Sequence, residues 1–256
     1  MTDIDLTGKT AWVTGSARNI GKAIAAEMAA SGANVVVSNR SNEAELDAAV
    51  ADLRERFDTS VIGVQTDVSD PDAVLDAVET IGQELGPVDI LVNNAAVRPH
   101  NPVEDITLEE WNTVVGTNLT GPFLCARAVV PDMREAGWGR IITMSGADAM
   151  FGQSNRLHVA STKAGLFGYT RALAHELAED GITSNCIAPG IAKTDRAGEG
   201  QGQPDLEPYR QRIPLGYICD PEEIAPTATF LASDHGGYIT GQVVHVNGGL
   251  FPTIRF

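Results

Sequence analysis

The sequence predicts a doubly wound α/β fold, a parallel sheet covered by helices on both faces. Three observations lead there. Apolar runs of strand length alternate with amphipathic stretches from one end of the chain to the other. The runs are apolar throughout rather than at every second residue. A turn carrying two glycines follows the first of them. Strands that are apolar on both sides need a cover on each face, and alternation with helices makes their sheet parallel.

Taken in order, TAWVTG (10–15) reads as the first strand and NIGKAIAAEMAAS as its helix. NVVVS (34–38) precedes the helical EAELDAAVADLRERF, and VIGVQTD (61–67) precedes PDAVLDAVETIGQEL. VDILVNN (88–94) is a fourth strand, followed by one long helical region through WNTVVGTNLTGPFLCARAVVPDMREA. GRIITMSG (139–146) leads into a helix expected from the stretch SNRLHVASTKAGLFGYTRAL (154–173), and ITSNCIAPG (182–190) is a further strand. PEEIAPTATFLAS is a late helix before a last strand, GQVVHVNGG. Right-handed crossovers join such units. Residues 1–256 read as one domain. Its least regular segment, 191–216, is rich in Gly, Pro and charge, and a loop of that length is expected to be a mobile lid on the substrate side.

The bulk properties narrow the partners. With 34 acidic and 18 basic residues the formal charge is −16. Phosphate backbones need a basic patch, so no nucleic-acid partner is expected. No apolar run approaches the ~20 residues that span a bilayer, and the N-terminal MTDIDLTGKT lacks a basic region followed by an apolar core. A cytoplasmic protein with no membrane partner is the expectation. Three widely spaced cysteines, Cys125, Cys186 and Cys219, form neither a disulfide framework nor a metal site, so no metal is expected.

In VTGSARNIGKAIA, Gly15 and Gly21 bracket the turn between the first strand and its helix. Glycine lets backbone N–H groups approach a pyrophosphate, and the helix N-terminus adds partial positive charge. This turn, with NNAA (93–96), the TDV around Asp67, and the PG at 189–190 with Thr194, resembles the short-chain dehydrogenase/reductase family over nearly the whole chain. Asn19 stands where that family has the middle glycine of its turn. The resemblance implies a Rossmann-type sheet and a nicotinamide dinucleotide. It places Gly15, Ser16, Arg18, Asn19, Ile20 and Gly21 along the phosphates, and Asp67 with Val68 at the adenine. Asn94, Ala95 and Ala96 border the cofactor, and Pro189, Gly190, Ile191 and Thr194 lie at the carboxamide. At the end of the second strand an acidic residue would favour NAD; here Asn39 and Arg40 stand there, with Arg18 nearby. Two arginines suit a 2′-phosphate, so NADPH is expected over NADH.

The family's reaction moves a hydride between the nicotinamide and a carbonyl carbon. A tyrosine handles the proton, a lysine four residues later lowers its pKa, a serine holds the substrate oxygen, and an asparagine completes a relay. Asn118 and Lys163 match the asparagine and the lysine. A gapless alignment puts Gly146 at the serine and Val159 at the tyrosine, so both direct contacts to the substrate oxygen are missing. Lys163 retains its other family role, on the nicotinamide ribose. On a helix, position 158 points about 140° from 163, so His158 replaces the tyrosine only if it precedes the helix start. Asp148 is a candidate pocket carboxylate and proton carrier. Arg98 and Arg156 are candidates for binding an anionic substrate or polarising a carbonyl, beside Gly146 and Val159.

Three functions follow. The first is an NADPH-dependent oxidoreductase acting on a small carbonyl, alcohol or imine with a rearranged proton donor. The second is a non-redox lyase or isomerase on the same scaffold, and the third a non-catalytic subunit of a mixed oligomer. The resemblance further implies a homotetramer or homodimer.

Overall fold

The computed structural model describes residues 4–195 and 206–251. Seven parallel strands form one sheet: β1 (Thr10–Val13), β2 (Asn34–Asn39), β3 (Val61–Gln65), β4 (Ile90–Asn93), β5 (Gly139–Met144), β6 (Ile182–Pro189) and β7 (Val243–Val246). Their order across the sheet is β3-β2-β1-β4-β5-β6-β7. The helices are α1 (Asn19–Ala30), α2 (Glu43–Arg56), α3 (Pro71–Leu85), α4 (Leu108–Val115), α5 (Gly121–Ala136), α6 (Asp148–Phe151), α7 (Leu157–Leu177), α8 (Glu207–Arg210) and α9 (Ala225–Ala232).

Side-chain alternation along the strands divides the core into two layers. Val13, Val35 and Val37 face α1, α2 and α9, packing with Ile24, Met28, Leu53 and Leu231. Trp12, Val36 and Leu91 face the opposite layer, with Ile81, Val129 and Met133 from α3 and α5. Each such side chain taken fully out of water contributes roughly 1.5–3 kcal/mol. The continuous apolar runs in the sequence are thus two interleaved faces, both buried.

Local chemistry sets the helix ends. Asp70 caps α3, its carboxylate accepting from the backbone N–H of Asp72 at 3.0 Å, and Pro71 occupies the first turn. Asn42 caps α2 in the same way through Glu45 N–H at 3.2 Å. At the N-terminus of helix α1 no side chain caps the backbone, and the first turn holds no acidic residue. Its N-terminal N–H groups and its dipole therefore face the crevice where the chain switches direction, between the carboxyl ends of β1 and β4.

Two expectations are corrected. The single helix expected through residues 111–136 is interrupted by a π turn at Gly116–Thr120. The helix expected from 154 starts at Leu157, because Asn155 takes a left-handed conformation with φ 64°. Of the expected lid, 191–216, the part over 196–205 lies outside the described residues. Among the described residues no helix is long and apolar enough to cross a membrane.

Candidate active site

The turn after β1 is shaped by close backbone approach. Gly15 has φ +62°, and a Cβ on it would lie 2.8 Å from Ala95 Cα. A Cβ on Gly21 would lie 2.5 Å from the Gly15 carbonyl oxygen, so neither position admits a side chain. Asn94 ties β4 to this turn, its Nδ2 donating to the carbonyls of Thr14 at 2.9 Å and Gly15 at 2.8 Å. Asn19 adopts φ 53°, a left-handed conformation that asparagine tolerates better than most residues. Its side chain bonds the Asp195 backbone twice, donating to the carbonyl at 2.9 Å and accepting from the N–H at 2.7 Å. The residue that departs from the family's turn thus clamps that turn to the chain after β6.

Above this turn lies a crevice of about 500 Å³. Gly15, Arg18, Asn19, Ile20 and Gly21 form its floor, and Asn39, Arg40, Asp67 and Val68 one end. Asn94, Ala95, Ala96, Lys163, Pro189 and Thr194 lead to the other end. Three expected cofactor residues do not line it. Ser16 is fully buried, its hydroxyl donating to the Val13 carbonyl at 2.6 Å, and it supports the turn from beneath. Gly190 and Ile191 open instead on the neighbouring cavity. The crevice fits a dinucleotide on two structural grounds. The uncapped N-terminus of α1 presents donors to a phosphate. The buried Asn39 Oδ1 has no hydrogen-bond partner among the described residues, while its Nδ2 donates to the Asn42 carbonyl at 2.6 Å. Glu45, which carries no signal in the sequence, also lines the crevice, 3.9 Å from Arg18.

The second cavity, about 370 Å³, adjoins the first. Ile20, Arg98, Ser145, Lys163, Pro189 and Thr194 border both, so the two cavities meet at these residues. Lys163 is 6% exposed, and its Nζ donates to the Met144 carbonyl at 2.6 Å. Burial pushes its pKa down to about 8, helped by the nearby Arg98 guanidinium. Val159, one turn earlier on the same face, lines the cavity and offers only methyl groups. Gly146 opens on free space: a Cβ there would meet nothing within 4 Å. At the two positions that the resemblance aligns with the family's serine and tyrosine, this chain thus offers neither a hydroxyl nor a phenol.

The remaining candidates separate. His158 is the second residue of α7 and fully buried, and it lines neither cavity. Its Nε2 lies 2.7 Å from Glu110 Oε1 on α4, so the condition under which it would replace the tyrosine is not met. Asn118 is also turned away. Its Oδ1 accepts from Val97 N–H at 2.9 Å and its Nδ2 donates to the Val97 carbonyl at 3.0 Å. It positions the loop that carries Arg98 rather than facing a substrate. Asp148 does line the second cavity, joined to Arg156 Nη1 at 2.8 Å. Arg98, Arg156, Gly146 and Val159 line it as expected.

His100 and Arg212 line it too, and no sequence motif marks them as site residues; Tyr209, which with Tyr217 is a tyrosine of the expected lid and so a candidate to approach a substrate, lines it as well. Tyr209 Oη accepts from Gln153 Nε2 at 3.4 Å. Tyr217, by contrast, donates to Glu223 at 2.7 Å outside this cavity. The position of α8 and the segment after it in the irregular stretch is the available signal, but no periodicity there indicates which side chains turn inward. Among the described residues, no three His, Cys, Asp or Glu side chains are grouped to hold a metal.

Comparisons with known proteins agree with this geometry. A family profile described as enoyl-(acyl carrier protein) reductase matches residues 15–251. The 3-oxoacyl-(acyl-carrier-protein) reductase FabG of Aquifex aeolicus is 36% identical over 249 residues, covering 97% of this chain and 100% of that protein. The 3-oxoacyl-(acyl-carrier-protein) reductase of Synechocystis is 39% identical over 246 residues, 96% of this chain and 98% of that one. A Sinorhizobium meliloti structure assigned as a short-chain alcohol dehydrogenase superposes with TM-score 0.91 at 36% identity, covering 98% of this chain and 99% of that one. An Agrobacterium tumefaciens structure assigned as a gluconate dehydrogenase gives TM-score 0.93 at 29% identity, with 99% and 100% coverage. A crevice at the switch point of a seven-stranded parallel sheet and these relatives agree: the chain belongs to the classical short-chain dehydrogenase/reductase family of oxidoreductases, on a single-domain Rossmann-type α/β fold.

Proposed function

We propose that this protein is an NADP(H)-dependent reductase of a small carbonyl substrate in which Lys163 supplies the proton that a tyrosine supplies elsewhere in the family. When bound, the dinucleotide supplies or accepts the hydride. Arg18 and Arg40 would hold its 2′-phosphate, the first turn of α1 its pyrophosphate, and Lys163 its nicotinamide ribose. The observation that carries the reading is the place of Lys163. Among the residues bordering both cavities it is the one cation able to release a proton near neutral pH, since a guanidinium stays charged throughout.

The proton step falls to Nζ. The Met144 carbonyl engages one of its three N–H donors, which leaves one for the nicotinamide ribose and one to turn toward a substrate oxygen. As negative charge develops on that oxygen, the Lys163 ammonium gives it a proton and becomes an amine, which recovers the proton from water. With a pKa near 8 the ammonium is a far better acid than an exposed lysine and still predominates at neutral pH. Arg98 contributes fixed positive charge beside the same oxygen.

A second reading rests on Tyr209, a phenol in the described cavity wall, held by Gln153. It does not border the cofactor crevice, which makes it the weaker candidate. The non-redox and non-catalytic readings draw no support from the comparisons. A homotetramer or dimer remains part of the proposal, supported by the exposed Leu108, Phe123 and Leu157 on α4, α5 and α7. The test is single-turnover oxidation of bound NADPH by a panel of small oxo compounds. Oxidation that is lost in Lys163→Ala and kept in Tyr209→Phe is the expected result. Oxidation unaffected by loss of the lysine refutes the assignment.

A further inference from the structure

We infer that the second cavity takes an organic acid: a small oxo or hydroxy compound whose carboxylate is held by Arg98, Arg156 and Arg212. The inference rests on the reductase reading for the carbonyl and adds the chemistry of the rest of the molecule.

The first support is the sign of the lining. In a chain of formal charge −16, the described walls of this cavity hold Arg98, Arg156, Arg212 and Lys163 against a single carboxylate, Asp148. Their charges are felt at the centre of the site, because Arg98 and Arg156 both press the Lys163 ammonium toward its neutral form. Such a field attracts an anion and repels an iminium, which removes the imine branch of the substrates considered from sequence.

The second support is placement. The three arginines come from three separate segments: Arg98 from the loop after β4, Arg156 from the residue preceding α7, and Arg212 from just beyond α8. Arg156 is 6% exposed, and burying a guanidinium is costly unless carboxylates meet it. Asp148 meets its Nη1 at 2.8 Å, so a carboxylate already packs against this guanidinium at the cavity wall. Phe151, Val159, Ile191 and Leu250 supply the apolar remainder of the wall, suited to a short carbon skeleton. The volume of about 370 Å³ lies at the small end of ligand sites.

The third support is chemical. With Gly146 and Val159 in place of a serine and a tyrosine, little holds or polarises the substrate oxygen from the family's own positions. A carboxylate anchored on arginines orients the carbonyl toward Lys163 without those contacts, so binding energy far from the reacting atom does the positioning.

Calorimetric titration of the NADP⁺-loaded protein with 2-oxobutanoate, acetoacetate and levulinate, each beside its methyl ester, tests this directly. The three acids step the carboxylate away from the carbonyl by one carbon at a time. At least one acid is expected to bind about tenfold or more tightly than its ester, and Arg98→Gln with Arg212→Gln to cut that difference severalfold while NADP⁺ still binds. Equal binding of acid and ester, a preference undiminished by the double substitution, or no binding of any acid at millimolar concentration overturns the inference. NADPH oxidation by the same compounds, followed with NADPH in place of NADP⁺, separates it from the reductase reading. An acid that binds with the arginine dependence but oxidises no NADPH sustains the acid site and counts against the reductase. Oxidation by esters as readily as by acids does the reverse.

Discussion

Lys163 is held in the protein at a cost that depends on pH, and that cost is measurable without any substrate. The side chain is 6% exposed and its pKa is pushed from 10.5 to about 8, by burial first and by Arg98 second. A tenfold change in a proton-binding constant corresponds to about 1.4 kcal/mol, so the charged lysine destabilises the folded state by about 3 kcal/mol relative to its neutral form. The sign follows from proton counting. Between pH 8 and 10.5 the unfolded chain binds a proton that the folded chain has released, so this group's contribution to stability rises with pH through that window. Below pH 8 both states are protonated and the full penalty is present. The perturbation is Lys163→Met, which keeps the length of the side chain and removes the charge. It also removes the donor to the Met144 carbonyl, so its effect at any single pH has no fixed sign. The difference between two pH values isolates the charge. From about pH 7 to about pH 10 the wild type should gain about 2–3 kcal/mol relative to Lys163→Met, read by urea unfolding of cofactor-free protein at fixed protomer concentration. In thermal unfolding this is a relative shift of roughly 5–10 °C. Parallel pH profiles for the two proteins would refute the claim that Lys163 is a buried ammonium of lowered pKa, and with it the basis for its acid role.

Three other predictions follow from the same geometry. Gly146→Ser with Val159→Tyr returns the hydroxyl and the phenol to a cavity with room for the first, and should raise carbonyl reduction by about 10²–10⁴-fold, the range for a positioned general acid; no gain in a folded, NADPH-binding protein would contradict the pocket geometry. Arg18→Gln with Arg40→Gln should weaken NADPH by about tenfold or more while leaving NADH unchanged, measured by nicotinamide fluorescence, and an equal loss for both would remove the 2′-phosphate assignment. His158→Leu leaves Glu110 without its buried partner and should cost about 1–3 kcal/mol of stability, with no change in the pH profile of turnover; a displaced profile in a fully stable variant would return His158 to the chemistry.

The order of elements is legible in the sequence because continuous apolar strands and capped helices are local signals. In the structure Asp70 with Pro71 and Asn42 cap α3 and α2 where those stretches begin. The cofactor crevice is legible for a related reason: its two glycines mark one short turn, Gly21 required by contact with the Gly15 carbonyl and Gly15 by its left-handed φ and the approach of Ala95. What escapes the sequence is what depends on side chains from distant segments meeting. Position 158 has the composition of a proton carrier, and only the packing of α4 against α7 shows its ring committed to Glu110. Asn118 likewise matches a catalytic position, yet a π turn and the Val97 backbone decide where its amide goes. Arg212 and Tyr209 lie in a stretch without periodicity, so their contribution to the cavity wall emerges only in three dimensions. Asn19 departs from a glycine pattern without revealing its double bond to Asp195.

The pH dependence of single-turnover NADPH oxidation by an oxo acid, compared between the wild type and Lys163→Met, tests the central claim most directly. If the Lys163 ammonium donates the proton, the wild-type rate is level near neutrality and falls about tenfold for each further pH unit above a pH near 8. In Lys163→Met it is lower by about 10²–10⁴-fold and shows no such break. A break near pH 8 that persists without the lysine, or that disappears in Tyr209→Phe instead, would place the proton on another group.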